Sequence, residues 1–193
     1  MLTHDISPDC VFMFRVIGVD SSEAAIQLAN DNVLLNCGSG READSISFVR
    51  GDAIEFLSRL VVENSNRVRN GQPPEYFDLI ICDPPKLAPS RQSITPAVKK
   101  YTEINALAMA LLDPANGGYL CTFSCSAYIT QRQILSDILK TAASAQLKQL
   151  PCSVPTKHRQ IDILKTLYPG MDHPLNIEFL DGAYLSGYLV HVN

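Results

Sequence analysis

Two periods run through the chain. Val16-Ile17-Gly18-Val19 and Leu79-Ile80-Ile81-Cys82 are continuous apolar runs, each closed by an acid, Asp20 and Asp83. Runs of this length predict buried strands, and the second predicts one covered on both faces, as in a parallel sheet. Ile46 to Arg50 alternates and predicts a strand between them; Gly118 to Phe123, running into Ser124-Cys125-Ser126, predicts another of the buried kind. Helical spacing fills the intervals. Ser21 or Ser22 caps a helix carrying Ala25, Leu28, Ala29 and Val33, which stops near Cys37-Gly38. Gly51-Asp52 opens a second through Ala53, Phe56, Leu57 and Leu60. A third places Ile104, Leu107, Ala108, Leu111 and Leu112 on one face. Thr130 and Gln133 form a capping-box signature for a fourth, which buries Ile134, Leu135, Ile138, Leu139 and Ala142.

The remaining stretches are read from their breakers. Asn64 to Pro74 carries every loop mark, and Leu87 to Pro96 is too polar and proline-marked for core. Leu147 to Val154 predicts a short strand, while Ile161 and Leu164 within Thr156 to Leu167 suggest a short helix. Asp181-Gly182 is a turn before a last strand, Ala183 to Val192, whose alternation suits an antiparallel partner. Strand and helix thus alternate, which predicts an α/β fold: a doubly wound sheet, mostly parallel, with an antiparallel last strand.

The acids and thiols sit where such sheets place ligands. Pro84 and Pro85 offer no backbone donors, so the ladder stops there and leaves Asp83 and Lys86 at the carboxyl edge. Cys125 follows the next strand, and an acid and a thiol at neighbouring strand ends suggest one reaction site. Asp20, between a strand and a capped helix, suits the hydroxyls of a ribose or equally a turn. Asp52 suits an adenine amino group, or an ordinary Gly-Asp turn.

Length and charge narrow the setting. At 193 residues with 46% hydrophobic content, one domain over 10–193 is expected, with 1–9 an unstructured N-terminal segment. A net charge of −4 argues against sequence-blind nucleic-acid binding by the whole surface. RNA contact would fall to a local patch, Lys99-Lys100 or Lys157-His158-Arg159, each of which also reads as plain solvated surface. The six cysteines have no Cys-x-x-Cys spacing, so no metal is expected and a reducing, intracellular compartment is. No apolar stretch approaches the ~18 to 20 residues of a membrane span. Met1 to Asp9, with His4, Asp5 and Asp9, fits neither a secretory signal nor an Arg-rich transit peptide.

Several groups of residues recur together in one known family. They are Gly18-Val19-Asp20-Ser21-Ser22, Ala29 to Asn36, Asp52-Ala53, and Asp78-Leu79-Ile80 with Asp83-Pro84-Pro85-Lys86. Further along come Tyr101 with Ile104-Asn105, Thr122 to Ser126, Asp172-His173-Pro174, and Gly182 to Leu185. From Val16 onward the chain resembles the catalytic domain of the bacterial large-subunit (23S) ribosomal RNA cytosine-5-methyltransferases, of the Rossmann-like class I kind. Asp-Pro-Pro alone is common among methyltransferases, but its order with Lys86, Ser-Cys-Ser and Asp-His-Pro is specific. Ahead of Val16 no Gly-x-Gly occurs, and there is no sign of the family's N-terminal RNA-binding PUA domain. The chain thus looks like a truncated member lacking the usual first strand and glycine-rich cofactor loop.

The resemblance implies S-adenosyl-L-methionine as cofactor, held by Asp20, Ser21, Asp52, Ala53 and Asp83. It implies RNA, ribosomal by family, as substrate, near Pro84, Pro85, Tyr101, Asn105 and His173. Tyr101 and Asn105, one helical turn apart, would line the cleft or else hold the loop after Lys86. Cys125 would be the nucleophile that adds to carbon 6 of cytosine, helped to ionise by Lys86 or His173, with Asp83 on the ring nitrogen. The expected location is cytoplasmic, or organellar if a transit segment precedes Met1. Two other readings compete: methylation at a base nitrogen with Cys125 idle, and a non-catalytic remnant acting as a scaffold.

Overall fold

The computed structural model describes residues 14–38, 43, 45–130, 133–145, 159–171, 178 and 184–193. The chain divides into two compact units, Met1–Phe56 and Leu57–Asn193.

In the first unit, β1 (Val16–Asp20) runs parallel to β2 (Ile46–Arg50), with Val16 opposite Ile46 and Asp20 opposite Arg50. A parallel pair requires a crossover, supplied by α1 (Glu23–Cys37). Ser22 is its cap: Oγ accepts from the Ala25 amide at 3.3 Å. Gly38, at φ 65°, ends the helix where a left-handed residue is needed. Gly18 lies under the ring of Phe48, where an added Cβ would come within 2.5 Å of a ring carbon. No residue of α1 is buried.

The division falls within α2 (Ala53–Arg69). That helix continues through Asn64-Ser65-Asn66, against the loop expected from Asn64 onward. The polar side chains that mark a loop in sequence find partners here: the Asn64 amide donates to the Glu75 carbonyl at 2.6 Å and accepts from its N–H at 2.9 Å. Ser65 Oγ bonds back to the Val61 carbonyl.

The second unit holds a four-stranded sheet in the order β3-β4-β6-β5. Its strands are β3 (Leu79–Cys82), β4 (Gly118–Ser124), β5 (Ile161–Leu167) and β6 (Ser186–Val192). β3 and β4 are parallel, and β6 is antiparallel to both its neighbours, as expected of the last strand. β5 corrects the short helix suggested for this stretch. A register shift between Ile163 and Lys165 breaks its alternation, so the period-2 signal fails in the sequence although the strand forms. The strand expected over Leu147 to Val154 lies outside the described residues.

α3 (Ile94–Ala110) follows a single turn over Arg91–Ser93 and packs on β3 and β4. Pro96 sits in its first turn, where no donor is lost. Ala88, in the stretch expected to be non-core, is fully buried in a cluster with Ala97, Tyr101, Ile129, Leu135 and Ile138. The capping box also fails: Thr130 ends a short helix, α4 (Ala127–Thr130), and Gln133, at φ 55°, precedes α5 (Ile134–Ser144). α5 still buries Leu135, Ile138, Leu139 and Ala142, because helical spacing and not the cap selects the core face.

The helices cover one face of this sheet. Leu120, Thr122 and Ser124 are fully buried, whereas Tyr119 on the opposite face is 46% exposed. β3 is the edge strand, and Leu79 and Ile81 are 51% and 64% exposed, which corrects the strand covered on both faces. Its apolar run fits a central position, but among the described residues it has one neighbour. At the far end, the Arg159 guanidinium donates to the carbonyls of Met109 in the last turn of α3, of Leu112 and Asp113 just beyond it, and of Val192 and Asn193 at the end of β6. A cation there also meets the negative end of the helix. No helix among the described residues is long and apolar enough to cross a membrane.

Candidate active site

The carboxyl ends of β3 and β4 lie side by side, with Cys82 opposite Thr122. The chain leaves β3 as Asp83-Pro84-Pro85-Lys86 and leaves β4 as Cys125-Ser126. Cys125 is half-buried, and its thiol lies 3.9 Å from the Pro84 carbonyl oxygen, as a weak donor. Asp83 and Lys86 are exposed, and both act on the thiol: the carboxylate raises its pKa and the ammonium lowers it. Burial is the largest influence, and the net direction is upward. Lys86 thus draws the thiol pKa down but does not outweigh burial and Asp83. His173, with Asp172 and Pro174, lies outside the described residues.

Of the two thiols within β3 and β4, Cys82 differs from Cys125 and Cys121 resembles it. Burial pushes Cys82 up to about 12, a shut-away core thiol. Cys121 is half-buried and raised by burial and by Asp83. Among the described residues no cluster of three or more His, Cys, Asp or Glu side chains could hold a metal.

Beneath Cys125 runs a buried chain of hydroxyls. Tyr101 Oη is 3.0 Å from Ser124 Oγ and 3.5 Å from Ser126 Oγ. Ser126 Oγ accepts from the Ala88 amide at 3.1 Å, and Ser124 Oγ from the Ser126 amide at 3.2 Å. Tyr101, Ser124, Ser126 and Ala88 are all fully buried. Of the two roles expected for Tyr101, the geometry supports holding the loop after Lys86. Asn105 is equally buried; its amide nitrogen donates to the Tyr101 carbonyl at 2.7 Å, and neither side chain reaches a surface in this structure. Asn105 Oδ1 and Thr122 Oγ1 have no partner among the described residues. The two serines were missed as anchors, although their i, i+2 spacing about Cys125 is the signal that they share a side.

Asp20, Ser21, Asp52 and Ala53 belong to the first unit. Asp20 and Asp52 follow neighbouring parallel strands, and the Gly51 amide donates to the Asp20 carbonyl at 2.9 Å. Asp20 Oδ1 accepts from the Ser22 amide at 2.7 Å, and among the described residues the second oxygen of this exposed side chain has no hydrogen-bond partner. Asp52 Oδ1 accepts from the Ile54 and Glu55 amides and caps α2. Ser21 is exposed, and Ala53 is the first residue of α2.

No protein-family model matches the chain. It is 33% identical over 178 residues to the ribosomal RNA large subunit methyltransferase I of Erwinia tasmaniensis, an alignment covering 92% of this chain and 38% of that protein. The protein of the same name from Photobacterium profundum is 30% identical over 178 residues, again 92% of this chain and 38% of the relative. The chain therefore spans 38% of the length of these curated relatives. Among solved structures, SMU.776, complexed with SAH, superposes with a TM-score of 0.62 at 15% identity, over 92% of this chain and 39% of that one. The chain thus has the class I methyltransferase fold, and in sequence it resembles the ribosomal RNA large subunit methyltransferase I proteins over 92% of its length.

Proposed function

We propose that the chain is an S-adenosylmethionine-dependent RNA methyltransferase domain acting on carbon 5 of a ribosomal RNA cytosine, with Cys125 as nucleophile. The observation that carries this reading is the Cys125 thiol against the Pro84 carbonyl, under the joint influence of Asp83 and Lys86. Carbon 5 of cytosine is a weak nucleophile until a group adds to carbon 6. The Cys125 thiolate forms that carbon–sulfur bond, and Asp83 hydrogen-bonds or protonates the ring nitrogen that takes up the electron pair. Lys86 stabilises the thiolate before attack. Carbon 5 then takes the methyl group, a base removes the carbon-5 proton, and the electron pair of that bond expels the thiolate. Pro84 and Pro85 give the base a rigid wall, and the target nucleotide leaves its stack to reach it.

The cofactor supplies the electrophilic methyl group. The residues of the first unit fit its nucleoside: the second oxygen of Asp20 suits ribose hydroxyls and the second oxygen of Asp52 suits an adenine amino group, with Ser21 and Ala53 next to them in sequence. A cytoplasmic setting goes with this reading.

RNA carrying 5-azacytidine tests the covalent route. In the presence of cofactor, peptide mapping is expected to find an adduct on Cys125, absent in Cys125→Ala. The raised pKa of the Cys125 thiol favours a second reading, methylation at a base nitrogen with Asp-Pro-Pro holding the base. Methyl transfer that survives in Cys125→Ala would select it. Calorimetric titration with no heat on adding S-adenosylmethionine would favour the scaffold instead.

A further inference from the structure

We propose that Tyr101 is a positioning residue whose hydroxyl fixes the register between the Cys125 thiol and the loop carrying Asp83 and Lys86. The proposal rests on the reading of Cys125 given above. Cys125 is flanked by two fully buried serines, and the same phenol reaches both, at 3.0 Å and 3.5 Å. Through Ser126 Oγ that phenol is also coupled to the Ala88 amide, two residues beyond Lys86. One buried hydroxyl therefore ties the backbone on both sides of the thiol to the end of the loop that supplies its charged neighbours.

Packing does not call for that hydroxyl. Tyr101 fills a cluster with Ala88, Ala97, Ile129, Leu135 and Ile138, where a phenylalanine ring would fill the same space. Among the described residues the hydroxyl's partners are Ser124 and Ser126 alone. Removing it leaves two buried serines without their common partner and frees the two strand-end segments to shift apart. Among the described residues the charged groups that act on the Cys125 thiol are Asp83 and Lys86, and the Tyr101 hydroxyl reaches the serines on either side of it.

The experiment uses the full chain and the variants Tyr101→Phe, Ser126→Ala and Cys125→Ala. Alkylation of Cys125 by iodoacetamide is followed from pH 6 to 10 by peptide mass spectrometry. Cys82, 5% exposed, serves as the control for folding, since it stays unreactive in a folded chain. In Tyr101→Phe the thiol is expected to lose part of its burial, the largest influence on it, while its couplings to Asp83 and Lys86 weaken together and offset each other. Its alkylation profile then moves to lower pH, with a rate at pH 7 on the order of threefold higher. Ser126→Ala is expected to move it the same way. A profile identical to the parent in both variants, with Cys82 still protected, overturns the proposal. Should Cys82 react in Tyr101→Phe, that variant has lost its fold and Ser126→Ala alone decides: an unmoved profile there overturns the proposal. Methyl transfer surviving in Cys125→Ala would sink the nucleophile reading, whatever the Tyr101→Phe profile shows.

Discussion

The two units of this chain obey the same local rules and reach different ends. In the first, β1, α1 and β2 form with a serine cap, a glycine stop and an in-register parallel pair, yet α1 buries no residue. Leu28, Leu34 and Leu35 are 61%, 62% and 82% exposed. In the second, Leu107, Leu112, Leu120 and Leu139 are at most 2% exposed. The difference lies in the number of layers. Among the described residues, the two strands and the helix α1 of the first unit do not enclose a side chain from all directions, whereas four strands under α3 and α5 do. Local signals state which element forms; they do not state whether it finds a core.

That contrast can be broken most directly in the interior. Leu120→Ala and Leu139→Ala should each cost about 2 to 5 kcal/mol in chemical denaturation, while Leu35→Ala should stay within about 0.5 kcal/mol of the parent. Equal effects would mean that the first unit has a core after all. Arg159→Ala comes next: losing a guanidinium shared among five carbonyls should cost about 1 to 3 kcal/mol, seen as a lower denaturation midpoint with unchanged slope. Caps should matter less. Ser22→Ala and Asp52→Ala each remove a side-chain acceptor from a helix start and should cost about 1 kcal/mol, read from the loss of helical circular dichroism on heating.

The smallest effect is electrostatic and confined to the second unit. The Asp83 carboxylate raises the pKa of the Cys125 thiol, so Asp83→Asn should lower it and speed iodoacetamide labelling at pH 7. Lys86 lowers it, so Lys86→Gln should raise it and slow labelling. Each change is expected to be on the order of threefold in rate. Cys37, in the first unit and free, serves as a reference that neither substitution should move.

How much of this was legible depended on how local each cause was. Asp20 and Asp83 could be placed at strand ends because apolar runs stop abruptly at them, and Asp52 and Cys125 because each follows a strand-like stretch within two residues. β5 could not, since its irregular register between Ile163 and Lys165 hides the alternation that marks a strand. Asn64-Ser65-Asn66 read as loop because the partner of Asn64 is Glu75, eleven residues away. Ala88 read as loop because the cluster that buries it comes from α3, α4 and α5. Tyr101 was noticed for its place beside Asn105, yet its hydroxyl faces serines more than twenty residues distant.

The amino-acid order alone determined the alternation of strand and helix, the proline stop after Asp83, and the resemblance to RNA methyltransferases. These follow from contacts within one turn or one strand, where backbone sterics and side-chain spacing act directly. Only the tertiary structure decided that β3 has one neighbour among the described residues and leaves Ile81 exposed, that Tyr101 is fully buried, and that burial outweighs Lys86 at Cys125. Those outcomes depend on which segments come together across long chain separations, and solvent exclusion is a property of that assembly rather than of any stretch within it.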